Sequence, residues 1–283
     1  MSWRAVFSKM MELSIDGVFL EGLDGTIQDC NSAGLKMFGR TRAEVLSMRF
    51  EDLLLAHSFP KPGLVQSHRE PGEEACEGYG VKKNGEIFPL SLHSQILSLQ
   101  GEKSWVIFVH DMSREVAIRQ ELAYAAQYDA LTKLKNRRAI LEDLEKLRHP
   151  QPVGMLDLDH FKGINDTYGH LVGDQFLRCL GGLLNQVPYL TAGRFGGEEF
   201  LLLFGHLGLS DARQALEDLL EKAWGCLREY GGIHFSAGLV WYDPALQRAE
   251  QALSRADAML YQAKAMGRNR VAVESPCAGA RED

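Results

Sequence analysis

The sequence has little cysteine, no long apolar run and no excess of positive charge, and each shortage excludes something. Its five cysteines, at 30, 76, 179, 226 and 277, lack the spacing of a zinc or redox motif. They imply reduced thiols in a cytoplasm rather than a disulfide framework. No apolar stretch reaches the ~18 residues of a membrane span. The N-terminal MSWRAVFSKMMEL carries Glu12 and has no continuous apolar core, so it is not read as a signal peptide. Trp3, Phe7, Met10 and Met11 instead suit one side of an amphipathic helix. A net charge of -7 argues against nonspecific binding to nucleic acid or to an anionic membrane. A local basic pocket remains compatible with it. The expected location is the cytoplasm.

What is present fits two globular domains: 283 residues, 45% hydrophobic and 24% charged. Residues 14–110 read as a mixed α+β unit. DGVFL and TIQDC are short strands around the turn GLDG, and SAGLKMFG is a helix closed by Gly39. Thr41 and Glu44 have the spacing of a capping box. Residues 57–75, with Pro60, Pro62, Gly63, Pro71 and Gly72, read as a loop. EGYGVKK and EIFPLSLHSQILSL are strands turned at Asn84-Gly85, and KSWVIFVHD is a last strand.

Residues 114–127 have no Gly or Pro and read as a helix. Ile118, Leu122 and Ala125 offer one stripe and Met112, Val116 and Ala123 a competing one, so pairing with a second copy and a plain linker both stand. Residues 128–274 alternate helix and strand as an α/β unit with helices over a central sheet. The tail 275–283 reads as disordered.

Three stretches of the second unit carry chemistry. TAGRFGGEEFLLLF reads as two strands joined by a two-residue turn, with Gly196 and Gly197 supplying positive φ. Glu198 and Glu199 repel each other there unless a cation sits between them; a solvated turn is the alternative. In MLDLDHFKGINDTYGHLVGD, Asp157 ends an apolar strand, where a carboxylate is costly without a partner. Asp159 has strand spacing to Asp157 and is read as the cap of the helix beginning near Phe161. That helix start offers N–H groups to phosphate, and Lys162 adds charge. In DAMLYQAKAMGRNR, Lys264 and Arg268 share a helix face with Tyr261; each cation alone could simply be solvated. Together these are parts of a metal-assisted nucleotide site.

Two resemblances follow from these motifs. The strand order of about residues 8–113, closing in Asp111-Met112-Ser113, resembles a PAS sensor domain. His57, His68, His93 and His110 are available to a haem, but no PAS ligand is identified. Residues 128–274 resemble the GGDEF domain of diguanylate cyclases through five pieces in order. These are DALTKLKNRR from Asp129, DLDHFKGINDTYGH from Asp157, Gly173-Asp174, GGEEF from Gly196, and YQAKAMGRNR from Tyr261. The implied architecture is a PAS domain over 1–113 with its N-terminal helix, a helical signalling linker over 114–127, a nucleotidyl-cyclase-like GGDEF domain over 128–274, and the tail.

The resemblance implies a metal-dependent nucleotidyltransferase, working as a homodimer, that condenses two GTP into cyclic di-GMP and two pyrophosphates. Two Mg²⁺ (or Mn²⁺) per site are implied at Asp157, the backbone carbonyl of Leu158, Glu198 and Glu199. Glu199 carries either metal binding or activation of the 3′-hydroxyl. Asn165 and Asp174 would read guanine, and Phe161, Lys162, Lys264 and Arg268 would hold the phosphates. The chain departs from the family at Val187-Pro188-Tyr189-Leu190, where an Arg-x-x-Asp product-inhibition motif is usual. The stretch from Asp174 to Gly196 is also shorter than usual, by about two residues on a rough comparison. A catalytically silent GTP-binding module is the competing function, and a different purine nucleotide cyclase is a third.

Overall fold

The structure is a computed structural model that describes residues 3–56, 58, 76–99 and 102–274. The expected loop over 57–75 and the tail over 275–283 lie outside these, apart from Ser58, as do His57, His68 and Cys277. The chain divides into two compact units, Met1–Glu121 and Leu122–Asp283. No described helix is long and apolar enough to cross a membrane.

In the first unit, α1 (Trp3–Met11) precedes β1 (Gly17–Gly22), β2 (Ile27–Cys30), α2 (Ser32–Phe38) and α3 (Arg42–Val45). Three strands follow: β3 (Cys76–Val81), β4 (Ile87–Leu99) and β5 (Glu102–Asp111). They form one antiparallel sheet in the order β2-β1-β5-β4-β3. The local signals act as read. Gly39 closes α2 at φ 64, Thr41 and Glu44 make both capping-box bonds, and Gly85 turns β3 into β4 at φ 84. One sheet face buries Phe19, Phe38, Phe50 and Phe88, whose rings meet edge to face. Met11 packs on the other face beside Val18, Leu20 and Val106. Met10, assigned to the same stripe, is exposed, because a helix turns neighbours about 100° apart.

α4 (Ser113–Gln127) buries none of its residues. Beyond it the second unit runs α5 (Arg137–Lys146), β6 (Gln151–Leu158), α6 (Phe161–Tyr168), α7 (His170–Leu184), β7 (Leu190–Arg194) and β8 (Glu199–Phe204). It ends with α8 (Leu209–Trp224), β9 (Phe235–Tyr242), α9 (Ala249–Ala265) and β10 (Val271–Val273). The sheet order is β10-β9-β6-β8-β7, with only β10 and β9 parallel. β6 is central and buried along its whole length, and between Gln151 and Asp157 its residues are apolar on both faces. α7 and α8 cover one face through Phe176, Leu180, Leu216 and Leu219. α5 and α9 cover the other through Ile140, Leu144, Ala252, Ala256 and Leu260.

Three helix boundaries differ from the sequence reading. α5 begins at Arg137, because Asn136 caps it by accepting from the Ala139 N–H (2.9 Å). The long segment after Asp159 breaks into α6 and α7 at Gly169, whose φ of 85 suits glycine. α9 stops at Ala265, so Arg268 does not share its face with Lys264. Gly267 (φ 113) closes that helix, its N–H donating to Lys264 O and the Arg268 N–H to Ala263 O, which is a Schellman ending.

α9 lies unusually close to β9. A Cβ on Gly238 would overlap the backbone N of Leu260 and the backbone O of Ala256. Those atoms cannot swing aside, so Gly238→Ala must lift the helix. It is expected to destabilise the second unit by about 2–3 kcal/mol, the cost of overpacking. Urea unfolding followed at that unit's own transition checks this, and an unchanged midpoint would contradict the close packing.

Candidate active site at the end of the central strand

Asp157 stands opposite Glu199 of β8 and Ser236 of β9 in the strand register. Directly opposed residues point to one face, here the face that α9 covers. Asp157 is only 7% exposed, and Lys264 from the last turn of α9 meets it with Nζ 2.8 Å from Oδ1. Burial raises the Asp157 carboxyl above the usual carboxylate value; the bond and charge of Lys264 offset this only in part. Burial also raises Glu198, and the nearby charges of Asp157 and Glu199 raise it further. The site therefore holds more negative charge than Lys264 neutralises.

The connection between β7 and β8 is not the expected two-residue turn. It spans residues 195–198, and neither Gly196 nor Gly197 has positive φ. The N–H groups of Phe195 and Gly196 both donate to Glu199 O, at 2.8 and 3.2 Å. A Cβ on Gly196 would come within 2.6 Å of Glu199 Oε2, so a side chain there would displace that carboxylate. Gly197 faces open space, and its carbonyl accepts from Arg194 Nε (3.1 Å) and Nη2 (2.8 Å). Arg194 Nη1 lies 3.3 Å from each carboxylate oxygen of Asp129. Asp129 also accepts from the N–H and hydroxyl of Thr132, both at 2.8 Å. Burial would raise the Asp129 carboxyl, but Thr132 and Arg194 outweigh it and hold it below its ordinary value. Arg194 thus ties the acidic hairpin to the loop before α5.

The helix α6 starts at Phe161, which is buried in the core, while Lys162 is exposed. The expected cap is absent. His160 takes the N-cap position in the left-handed region (φ 57) and makes no side-chain cap bond. Asp159 instead turns inward and accepts from Ser236 Oγ (2.8 Å) and the Asn269 N–H (2.9 Å). Two fixed donors inside the protein outcompete a helix end that water can reach. With no side-chain cap, the first N–H groups of α6 remain available to an anion.

Asn165 of α6 and Asp174 of α7 come from different helices, which pack together beside Gly173. A Cβ on Gly173 would overlap Asn165 Oδ1, so the amide sits directly against Gly173, the residue before Asp174. Asp174 is half-buried and lies 3.6 Å from Arg178, one helical turn on. Arg268, outside the helix at φ 63, has Nε 4.0 Å from Asp159 Oδ1. The carbonyl of Leu158 follows Asp157 at the strand end, and the Leu158 N–H donates to Glu198 O (3.3 Å). Ser236 was not singled out from sequence; a serine in an apolar strand facing Asp157 was the available signal.

Among the described residues no three Asp, Glu, His or Cys side chains converge as a ready metal cage. The donor set still suits Mg²⁺ or Mn²⁺. Asp157, Glu198 and Glu199 are hard oxygen donors in electrostatic excess, and Mg²⁺ needs only one or two carboxylates because it keeps waters and substrate oxygens. Lys264 currently holds the place of a cation at Asp157.

Each of the two units matches a known family. The family described as "Diguanylate cyclase, GGDEF domain" matches residues 126–270, and "PAS domain" matches residues 15–114. Diguanylate cyclase VdcA of Vibrio cholerae is 42% identical over 158 residues, which is 52% of this chain and 46% of that protein. Diguanylate cyclase DgcM of Escherichia coli is 27% identical over 259 residues, 88% of this chain and 63% of that one. The chain thus spans less than two thirds of either relative's length. The coiled coil and GGDEF domain of DgcB from Caulobacter crescentus, solved in complex with c-di-GMP, is 31% identical. It aligns with a TM-score of 0.53 over 57% of this chain and 92% of its own.

The raised carboxyls set a direction for pH. A folded-state pKa above the unfolded one means that the folded chain holds its proton more tightly. The stability tied to that proton is present below the ordinary carboxylate range and lost as pH rises through the raised value. Glu198→Gln removes this loss. The metal-free variant is expected to melt like the native chain in acid below that range, and above it near neutrality. Adding Mg²⁺ should stabilise the native chain more than the variant. Thermal melts against pH with and without Mg²⁺ check both, and a variant less stable at neutral pH would contradict the charge excess.

Proposed function

The chain belongs to the GGDEF family, and from that premise we propose that it is a PAS-regulated diguanylate cyclase. In this reading residues 1–113 sense, 114–127 transmit, 128–274 catalyse and 275–283 form a tail. Two GTP molecules, one on each of two facing domains, become cyclic di-GMP and two pyrophosphates. The 3′-oxygen of each GTP forms a bond to the α-phosphorus of the other, the bond from that phosphorus to the pyrophosphate oxygen breaks, and the hydroxyl proton passes to a carboxylate.

The observation that carries this reading is the carboxylate excess around Asp157 with Lys264 as its stand-in cation. Asp157, Glu198, Glu199 and the Leu158 carbonyl would hold two divalent ions, which supply charge to the phosphates and the leaving pyrophosphate. Glu199 stands opposite Asp157 in the register and is the candidate base for the 3′-hydroxyl. Asn165 and Asp174 offer an amide and a carboxylate to the guanine edge. Phe161 and Lys162, at the uncapped start of α6, and Lys264 and Arg268 hold the β- and γ-phosphates.

Catalysis in this scheme needs two chains, because one site holds one GTP. α4 leaves Ile118, Leu122 and Tyr124 uncovered, which supports pairing with its copy and a route for the sensor's signal as a population shift. GTP supply suits the cytoplasm. The competing reading is a silent GTP-binding module.

Incubation of the full chain with GTP and Mg²⁺, with products resolved by chromatography, separates these readings. Cyclic di-GMP is expected from the native chain. Asp157→Asn is expected to lose more than about 99% of turnover while keeping its fold, a loss of about 2.7 kcal/mol or more in transition-state stabilisation. GTP bound but unchanged would favour the silent module.

The usual product-inhibition motif has no counterpart at Val187 and Leu190, since neither side chain can replace an arginine or an aspartate. Initial rates against GTP at several added product concentrations should show at most weak competitive inhibition. Strong noncompetitive inhibition at low micromolar product would reveal another inhibitory site.

A further inference from the structure

Asp159 is a buried carboxylate that the proposed reaction does not use. Its side chain is 1% exposed, yet it is placed one residue past β6 and two from Asp157. Three donors meet it, and the like charge of Asp157 lies close enough to be felt. Ser236 Oγ and the Asn269 N–H donate to its two oxygens, and the Arg268 guanidinium lies beside the first. A carboxylate accepts at both oxygens, whereas an asparagine would turn an NH₂ group toward one of these donors.

The turn held by Asp159 is strained. Gly267, Arg268 and Asn269 have φ values of 113, 63 and 48, three successive residues in the left-handed region. Gly267 adopts it freely, but Arg268 has a side chain and does so at a cost. After Arg270 the chain is committed to β10, since the Ala237 N–H donates to Arg270 O (2.9 Å). The turn therefore hangs between the end of α9 and the sheet, and Asp159 is its anchor from below. The same carboxylate has the Arg268 guanidinium beside it, Nε 4.0 Å from Oδ1.

We propose that Asp159 is a positioning residue for nucleotide phosphates, acting through Asn269 and Arg268. It fixes the left-handed turn so that Arg268 faces the phosphate end of the site, while Ser236 orients the carboxylate. This rests on the reading of Arg268 as a phosphate ligand.

The test uses the full chain, an α,β-methylene GTP analogue and GMP, with affinities measured by calorimetry. Asp159→Asn is expected to weaken the analogue about tenfold or more and GMP by less than about twofold. In an Arg268→Ala background the same substitution should add less than about twofold, because its effect runs through that arginine. Ser236→Ala keeps the carboxylate and should give a smaller loss of the same kind, which carries the test if Asp159→Asn folds poorly. Hydrogen exchange of the Asn269 amide, measured without nucleotide, should be faster in Asp159→Asn. Multiplying losses in the double variant, equal losses for GMP and analogue, or unchanged Asn269 exchange would each overturn the inference while the functional reading stands. A native chain that binds neither nucleotide would overturn that reading, and this inference with it.

Discussion

The second unit depends on how partly buried negative charge at the end of β6 is met. Asp157, Glu198 and Glu199 gather where the central strand leaves the core, and Asp159 follows immediately. Burial and mutual repulsion hold Asp157 and Glu198 above the ordinary carboxylate value. Such a cluster persists only if positive charge or donors are brought to it. Most come from the end of α9, through Lys264, Arg268 and the Asn269 N–H, and Ser236 of β9 adds a hydroxyl.

That supply requires close packing. Gly238 lets the backbone of α9 approach β9, and Ala252, Ala256 and Ala263 keep the helix face small. A helix held further out would carry Lys264 away from Asp157. The apolar packing at one end of α9 and the ion pair at its other end are thus one arrangement. The hairpin is fixed separately, by Arg194 between Asp129 and the Gly197 carbonyl. The acids of the two elements then meet through the register of β6 with β8.

Much of this was legible in the sequence where one residue or pair decides the outcome. The capping box at Thr41 and Glu44, the left-handed Gly39 and the Asn84-Gly85 turn need only local geometry, and they form as read. The errors fall where a distant group competes. Asp159 has the spacing of a cap, but Ser236, 77 residues away, and Asn269, 110 residues away, claim its oxygens. Gly196 has the look of a two-residue turn glycine, yet it takes no positive φ in a four-residue connection closed onto the Glu199 carbonyl. Arg268 has helical spacing from Lys264, but Gly267 ends the helix between them. Periodicity carries no information about contacts that long-range folding creates.

The departure at Arg268 changes how the basic groups should be understood. On one helix face, Lys264 and Arg268 would have been two equivalent solvated cations. In the structure they are held differently. Lys264 projects from a regular turn and rests on Asp157, where it can be exchanged for another cation because it remains about one-third exposed (32%). Arg268 is attached to a strained turn whose backbone is pinned to a buried carboxylate, so its base moves only if that pin is lost. Under the proposed function the site must admit a cation and grip an anion, and it has use for one cation that yields and one that stays. The division follows from a glycine at 267 and a carboxylate at 159, neither of which carries positive charge itself.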